Sequence, residues 1–245
     1  MAISAFTAAN DDHTLLYSAI GTFTIHPFVH DKLPYNASRD LLPIAKVSET
    51  IVAITVPASL KVNSLAQLME LARAQPGKLN YAAAAGTSDF VFAAFLKSAG
   101  LSMTLVPYRD VVQAPNDLAE GRIQVLVSSY AVVRPQAQAG KIKVLAVTNR
   151  ERAPAAAEIP TATEAGFPAL SYEAPVGLLG PRGMPIELRE RIAGDIRAAA
   201  ADPNFVSRMA ATGQVVDVRG PSEFATVIEQ QRAKLATVAA ALKQK

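Results

Sequence analysis

The stretch Leu79-Asn-Tyr-Ala-Ala-Ala-Ala-Gly-Thr-Ser-Asp-Phe-Val-Phe-Ala-Ala-Phe-Leu96 decides the fold. A short apolar run, Leu79–Ala84, passes through a turn of small residues straight into a second apolar segment, Phe90–Leu96, that stops at Gly100. A strand feeding a helix in this way is half of a βαβ unit. The rhythm continues on both sides. Met103–Pro107, Ile123–Ser128 and Lys143–Val147 read as further strands buried on both faces. Between them, the capping-box pattern Ser64-Leu-Ala-Gln67 opens a helix that Pro76-Gly77 ends. Two more helices are expected, from Val111 to Gly121 (Pro115 confining it to the later part) and from Ala131 to Gly140. Strands alternating with helices predict an α/β fold with parallel sheets and right-handed crossovers.

Outside this middle the pattern changes. Strands are expected near Thr14–Ser18 and Ile51–Val56, separated by a loop-rich Gly21–Ser48. Arg150–Gly166 is rich in proline and alanine, with a short helix at a second capping box, Thr161-Ala-Thr-Glu164. Ala174–Gly180 reads as a strand and Pro185 opens a long amphipathic helix. A helix over Asn204–Thr212, a strand over Gln214–Val218 and a last helix from Pro221 complete the chain. Two lobes joined by crossing segments fit this layout better than one continuous sheet.

Composition narrows the function. Of 245 residues, 50% are hydrophobic and 18% charged, which is a globular balance with room for a core. The net charge of +3 is spread along the chain, so no basic face calls for nucleic acid. Cysteine is absent, which excludes disulfides, thiolate metal sites and cysteine nucleophiles. No run reaches the roughly 18 apolar residues of a membrane span. The first ten residues lack a basic n-region and do not read as a secretory signal.

Catalytic chemistry has little to work with. His13, His26 and His30 crowd the start of the chain, and Pro27 places His26 and His30 in a loop rather than on one helix face, so no metal site is expected. Adjacent Asp11 and Asp12 read as a turn. No nucleophile elbow, Walker loop or dinucleotide fingerprint occurs, and no cofactor is expected. The informative feature is the turn Ala82-Ala-Ala-Ala-Gly86-Thr87-Ser88. With almost no side chains, its amides are open, and a helix start adds unpaired N–H groups, a setting for a carboxylate or phosphate. The plainer reading is that Thr87 or Ser88 is only an N-cap. Ser18-Ala-Ile-Gly21-Thr22 is a second passage from strand to loop, and Ser128 ends a strand of the middle sheet. Ligands of open parallel sheets sit beyond the strands' carboxyl ends, so Thr22, Ser88 and Ser128 could converge.

These residues resemble a known family. His13-Thr-Leu-Leu16, Lys32-Leu-Pro-Tyr35, Pro76-Gly-Lys-Leu-Asn-Tyr81, Val106-Pro-Tyr108 and Ala139-Gly-Lys-Ile142 stand in order. Leu145-Ala-Val-Thr148, Ile159-Pro-Thr161, Glu164-Ala-Gly166 and Gly177-Leu-Leu-Gly-Pro181 follow. Together they resemble the Bug/TctC family, the extracytoplasmic solute receptors of tripartite tricarboxylate transporters, from about Asp12 to near the C-terminus. The resemblance implies a two-lobed periplasmic-binding-protein (Venus flytrap) architecture. Lobe two would be residues 58–170, and lobe one would combine 1–57 with the returning 171–245. It implies a small organic acid, a (di)carboxylate, held between the lobes and delivered to membrane transporter subunits, without chemistry and in the periplasm. Gly21 and Thr22 match the lobe-one loop, while Ala85, Gly86, Thr87 and Ser88 match the lobe-two loop. Ser128 stands where the family usually has an aspartate, which makes an amino-acid ligand less suitable. The chain enters at what resembles the tail of the family's second helix, Ala2–Asn10, so lobe one is expected to lack its usual first strands and to expose a sheet edge for self-association. Three alternatives remain open at this point: a ligand-sensing module, a truncated relic of the same fold that binds nothing, and an α/β enzyme acting on a small carboxylate.

Overall fold

Asp11 folds its carboxylate back on the chain, accepting from His13 N (2.9 Å) and Thr14 N (2.5 Å). The computed structural model describes Phe6, Asp11, 13–29, Lys32, Leu33 and 35–243, so the expected helix tail Ala2–Asn10, along with Asp12 and His30, lies outside the described residues apart from Phe6. Contacts divide the chain into two units, Met1–Glu49 with Ala174–Ala239, and Thr50–Glu173 with Ala240–Lys245. The expected boundary at 57/58 falls after a strand that contacts assign to the second unit, because that strand pairs only there.

The first unit opens with β1 (Leu16–Ala19), α1 (Gly21–Val29), α2 (Ala37–Asp40) and β2 (Leu41–Thr50). The sequence reading of Gly21–Ser48 as loop is corrected here. Pro27 sits inside the last part of α1, where it removes one backbone bond. Burial of Ile20, Phe23 and Ile25, each worth about 1.5–3 kcal/mol, outweighs that loss. His26 is therefore helical, and its Nδ1 lies 2.6 Å from the Tyr35 hydroxyl. Asn36 caps α2 by accepting from the amides of Ser38 and Arg39, both at 3.1 Å. Pro43 and Lys46 disguised β2 in the sequence. Lys46 is nevertheless only 1% exposed, because it donates to Glu49 and, at 2.6 Å, to Asp217. Burial would raise the Asp217 carboxyl, but the hydrogen bonds from Lys46 and Arg219 outweigh it and hold the group below its usual value.

The second unit runs β3 (Val52–Pro57), α3 (Leu65–Ala74), β4 (Asn80–Ala83), α4 (Thr87–Ser98), β5 (Thr104–Leu105), α5 (Ala114–Ala119), β6 (Val125–Ser129), α6 (Tyr130–Gln138) and β7 (Ile142–Val147). Ser64 caps α3 by accepting from Gln67 N at 3.2 Å. The chain then returns to the first unit with β8 (Pro175–Pro181), α7 (Ile186–Ala200), α8 (Pro203–Ala211), β9 (Gln214–Arg219) and α9 (Pro221–Lys243).

Neither sheet is purely parallel, which corrects the expectation of parallel sheets. In the second unit the order is β5-β4-β6-β3-β7, with β4 parallel to β5 and β6 but β3 antiparallel to β6 and β7. All six residues of β3 are buried, and a run buried on both faces carries no mark of its direction. In the first unit the order is β1-β8-β2-β9, with β8 antiparallel to β1 and β2. Met103–Pro107 yields only the two-residue edge strand β5, exposed rather than buried. The box at Thr161 closes as expected, Thr161 N donating to Glu164 Oε2 (2.7 Å) and Glu164 N to Thr161 Oγ1 (3.1 Å), but it stabilises a turn instead of a helix. Gly166, at φ 88°, ends that turn before a second can form.

The first unit's core gathers Leu16, Ile20, Phe23, Leu41, Leu179, Phe224 and Val227. Gly177 of β8 lets Phe224 of α9 lie on the sheet: a Cβ there would stand 2.3 Å from Phe224 Cζ and 2.6 Å from the Ala45 carbonyl oxygen. Gly194, inside α7, has no heavy atom within 4 Å of that position. Gly177→Ala is therefore expected to destabilise by about 1–3 kcal/mol or more through overpacking. Gly194→Ala is expected to stabilise by about 0.5–1 kcal/mol by restricting the unfolded chain. Chemical unfolding of both variants checks the pair, and equal midpoints would contradict the packing described.

Candidate functional site

Because β4, β5 and β6 are parallel and β7 runs the same way across β3, their carboxyl ends share one edge of the second unit's sheet. Three backbone bonds knit that edge together. Ala84 N donates to Val127 O (2.8 Å), Tyr130 N to Ile51 O (2.8 Å) and Thr148 N to Val52 O (2.9 Å). Asn149 adds its side chain, donating through Nδ2 to Thr50 O at 3.1 Å. Ala84–Ser88, Ser128–Tyr130 and Thr148–Asn149 are thus neighbours on one rim, the position where open sheets present ligand sites.

The turn from β4 into α4 hinges on Gly86, at φ 100° and ψ −130°. No heavy atom lies within 4 Å of a Cβ placed there, so the backbone conformation, not space, calls for glycine. The structure removes the plainer reading of this turn. Gly86 itself is the N-cap, and no side chain caps α4, so neither Thr87 nor Ser88 is a capping hydroxyl. Asp89 N donates to Ala84 O (3.2 Å) and Phe90 N to Gly86 O (3.1 Å), while the amides of Ala85 and Gly86 meet no acceptor among the described residues. Two free N–H groups at the positive end of a twelve-residue helix favour an anion.

Hydroxyls surround this helix start. Thr87 and Ser88 are each only 8% exposed. Ser88 Oγ accepts from the Tyr172 phenol at 2.8 Å, a bond buried in the unit. Burial pushes the Tyr172 phenol well above the usual tyrosine range, so it stays protonated and donates. Thr148 Oγ lies beside that phenol without completing a hydrogen bond. Ser128 is fully buried, and its Oγ also has no partner among the described residues. Asp89 is half-buried with one unpartnered carboxylate oxygen, and burial raises its carboxyl above the usual value.

The second unit therefore brings Ala85, Gly86, Thr87, Ser88 and Ser128 to one rim. Gly21 and Thr22 belong to the first unit, where Gly21 opens α1 directly after β1, so the expected passage from strand to loop is one from strand to helix. Sequence reasoning missed Tyr172, Thr148 and Asn149. Thr148 and Asn149 carried a signal, since they follow a strand whose end lies at the same edge. Tyr172 carried none, being 84 residues from the serine it touches. Among the described residues no cluster of histidines and carboxylates could hold a metal, and no helix is long and apolar enough to cross a membrane.

This is the architecture of a solute-binding protein. The chain belongs to the tripartite tricarboxylate transporter family receptors, TctC, whose family model matches residues 2–243. It is similar to the UPF0065 protein in the tcbD-tcbE intergenic region of Pseudomonas sp. strain P51, at 32% identity over 209 residues. That match covers 84% of this chain and 62% of the relative, so the chain spans less than two thirds of the relative's length. Among solved structures, Rpa4515 of R. palustris with adipate superposes with a TM-score of 0.86 at 26% identity, covering 98% of this chain and 82% of that one. MatC (Rpa3494) from Rhodopseudomonas palustris with bound malate gives 0.82 at 23%, covering 97% and 83%, a likeness of fold. The family and its fold neighbours are periplasmic solute-binding proteins rather than enzymes.

The unpaired Ser128 hydroxyl gives a direct check. An unsatisfied buried hydroxyl costs about 1–3 kcal/mol, so Ser128→Ala in the ligand-free protein is expected to leave stability unchanged or raise it by about 1 kcal/mol. A clear fall in the unfolding midpoint would show that the hydroxyl has a partner in the free protein.

Proposed function

We propose that this chain is the ligand-capturing part of an extracytoplasmic receptor for a small organic dicarboxylate. The observation that carries the reading is the pair of unpaired amides at Ala85 and Gly86 on the helix start, with the Ser88 and Ser128 hydroxyls on the same rim. N–H and O–H donors without a fixed cation suit a carboxylate that must be held and then released. Adipate and malate in two structures of the same fold support that class. Gly21 and Thr22, at the start of α1 in the first unit, are further ligand residues in this reading. Ligand then shifts the open–closed population, and the closed form is delivered to membrane transporter subunits in the periplasm. Among the described residues β1 lies at one end of the first unit's sheet, with Tyr17 51% exposed on it, and pairing with a second copy through that edge is part of the reading.

Thermal unfolding against succinate, malate, citrate, adipate, glutamate and aromatic carboxylates tests the reading, with light scattering in the same samples reporting mass. A ligand of the folded state adds about 2.7 kcal/mol at a hundredfold excess over Kd. The expected result is a concentration-dependent rise with a dicarboxylate and a smaller or absent rise with glutamate. No rise with any acid, or turnover of a bound one, would overturn the reading.

A further inference from the structure

We propose that Tyr172 is a positioning residue for ligand capture, fixing the Ser88 hydroxyl so that its proton is available to an acceptor at the start of α4. The inference rests on the reading of that helix start as a carboxylate site and assigns a role to a residue outside it.

A serine hydroxyl has one proton and two lone pairs. Serine on a helix often turns its proton back on the carbonyl three or four residues earlier, which withdraws it from any ligand. Ser88 does not. Its oxygen accepts from the Tyr172 phenol at 2.8 Å, and its own proton has no acceptor among the described residues. A hydroxyl that accepts from a buried neighbour is polarised toward donating, since linked hydrogen bonds strengthen one another. Burial keeps the phenol protonated, so it carries the proton that Ser88 Oγ accepts.

The backbone around Tyr172 is fixed in turn. Tyr172 N donates to Thr148 O at 2.9 Å, and the neighbouring Glu173 pairs with Arg150 at 2.8 Å. The phenol is thus anchored to the end of β7, the strand end that also carries Asn149, and it reaches α4 from there. Glu173 is the last residue before the chain passes into the first unit. Tyr172 accordingly links the crossing segment to the helix start through one buried bond.

Isothermal titration of wild type, Tyr172→Phe, Ser88→Ala and the double variant with adipate and with malate tests the proposal, circular dichroism confirming that each variant is folded. Ser88→Ala is expected to weaken binding about tenfold or more, as for a hydrogen bond to a charged group. Tyr172→Phe should weaken it about threefold to tenfold with Ser88 present and have no further effect in the Ser88→Ala background. A merely structural tyrosine would lower affinity equally in both backgrounds, and that result, or wild-type affinity in Tyr172→Phe, would overturn the proposal while leaving the receptor reading intact. Wild-type affinity in Ser88→Ala, or a wild type that binds neither acid, would instead overturn the reading of the site and the proposal with it.

Discussion

The backbone at Gly86 turns the end of β4 into α4 through φ 100°, ψ −130°, a conformation that costs a residue with a Cβ about 1–3 kcal/mol. Much of the second unit's rim follows from it. The turn is tight enough that Asp89 N reaches back to Ala84 O, which leaves the Ala85 and Gly86 amides outside the helix's own hydrogen bonding. Two amides at a helix start without a partner among the described residues are open to an anion. Ala85, exposed and small, does not shield them.

The surrounding sheet holds this turn at one place. β4 lies between β5 and β6, and the Ala84 to Val127 bond extends the β4–β6 ladder one residue past the strand. On the other side of β6, the antiparallel β3 brings its first residues to the same edge, where Thr148 and Asn149 tie them down. The polar groups at this rim are consequently rigidly placed but incompletely satisfied. Ser128 and Thr148 keep unpartnered hydroxyls, and Asp89 keeps an unpartnered carboxylate oxygen. Each lowers stability in the free protein, a cost typical of sites kept for binding.

The strand-to-helix passage at Ala82–Ser88 was legible in the sequence because small residues, a glycine and an apolar period of helical spacing all agree there. The last third was legible for a similar reason: Pro185, Pro203, Gly213 and Pro221 punctuate it clearly. Other parts were hidden by competing signals. Pro27 masked α1, since a proline's local cost is visible in sequence while the burial that offsets it is not. Pro43 and the buried Lys46 masked β2, whose charge is tolerated only because Asp217, 171 residues away, comes to meet it. The direction of β3 was invisible because hydrophobicity records burial and not polarity of the strand. For the site, the donor-rich turn could be read, but not the Tyr172 phenol behind Ser88, since that contact exists only once the sheet has formed.

The account's central claim is that the amides of Ala85 and Gly86 are donors awaiting a carboxylate. Amide hydrogen exchange at these two positions, measured with and without a saturating dicarboxylate, tests it most directly. The account predicts fast exchange in the free protein and strong protection on binding, confined to the start of α4 and its neighbours on the rim. Tight binding with the exchange of both amides unchanged would contradict it.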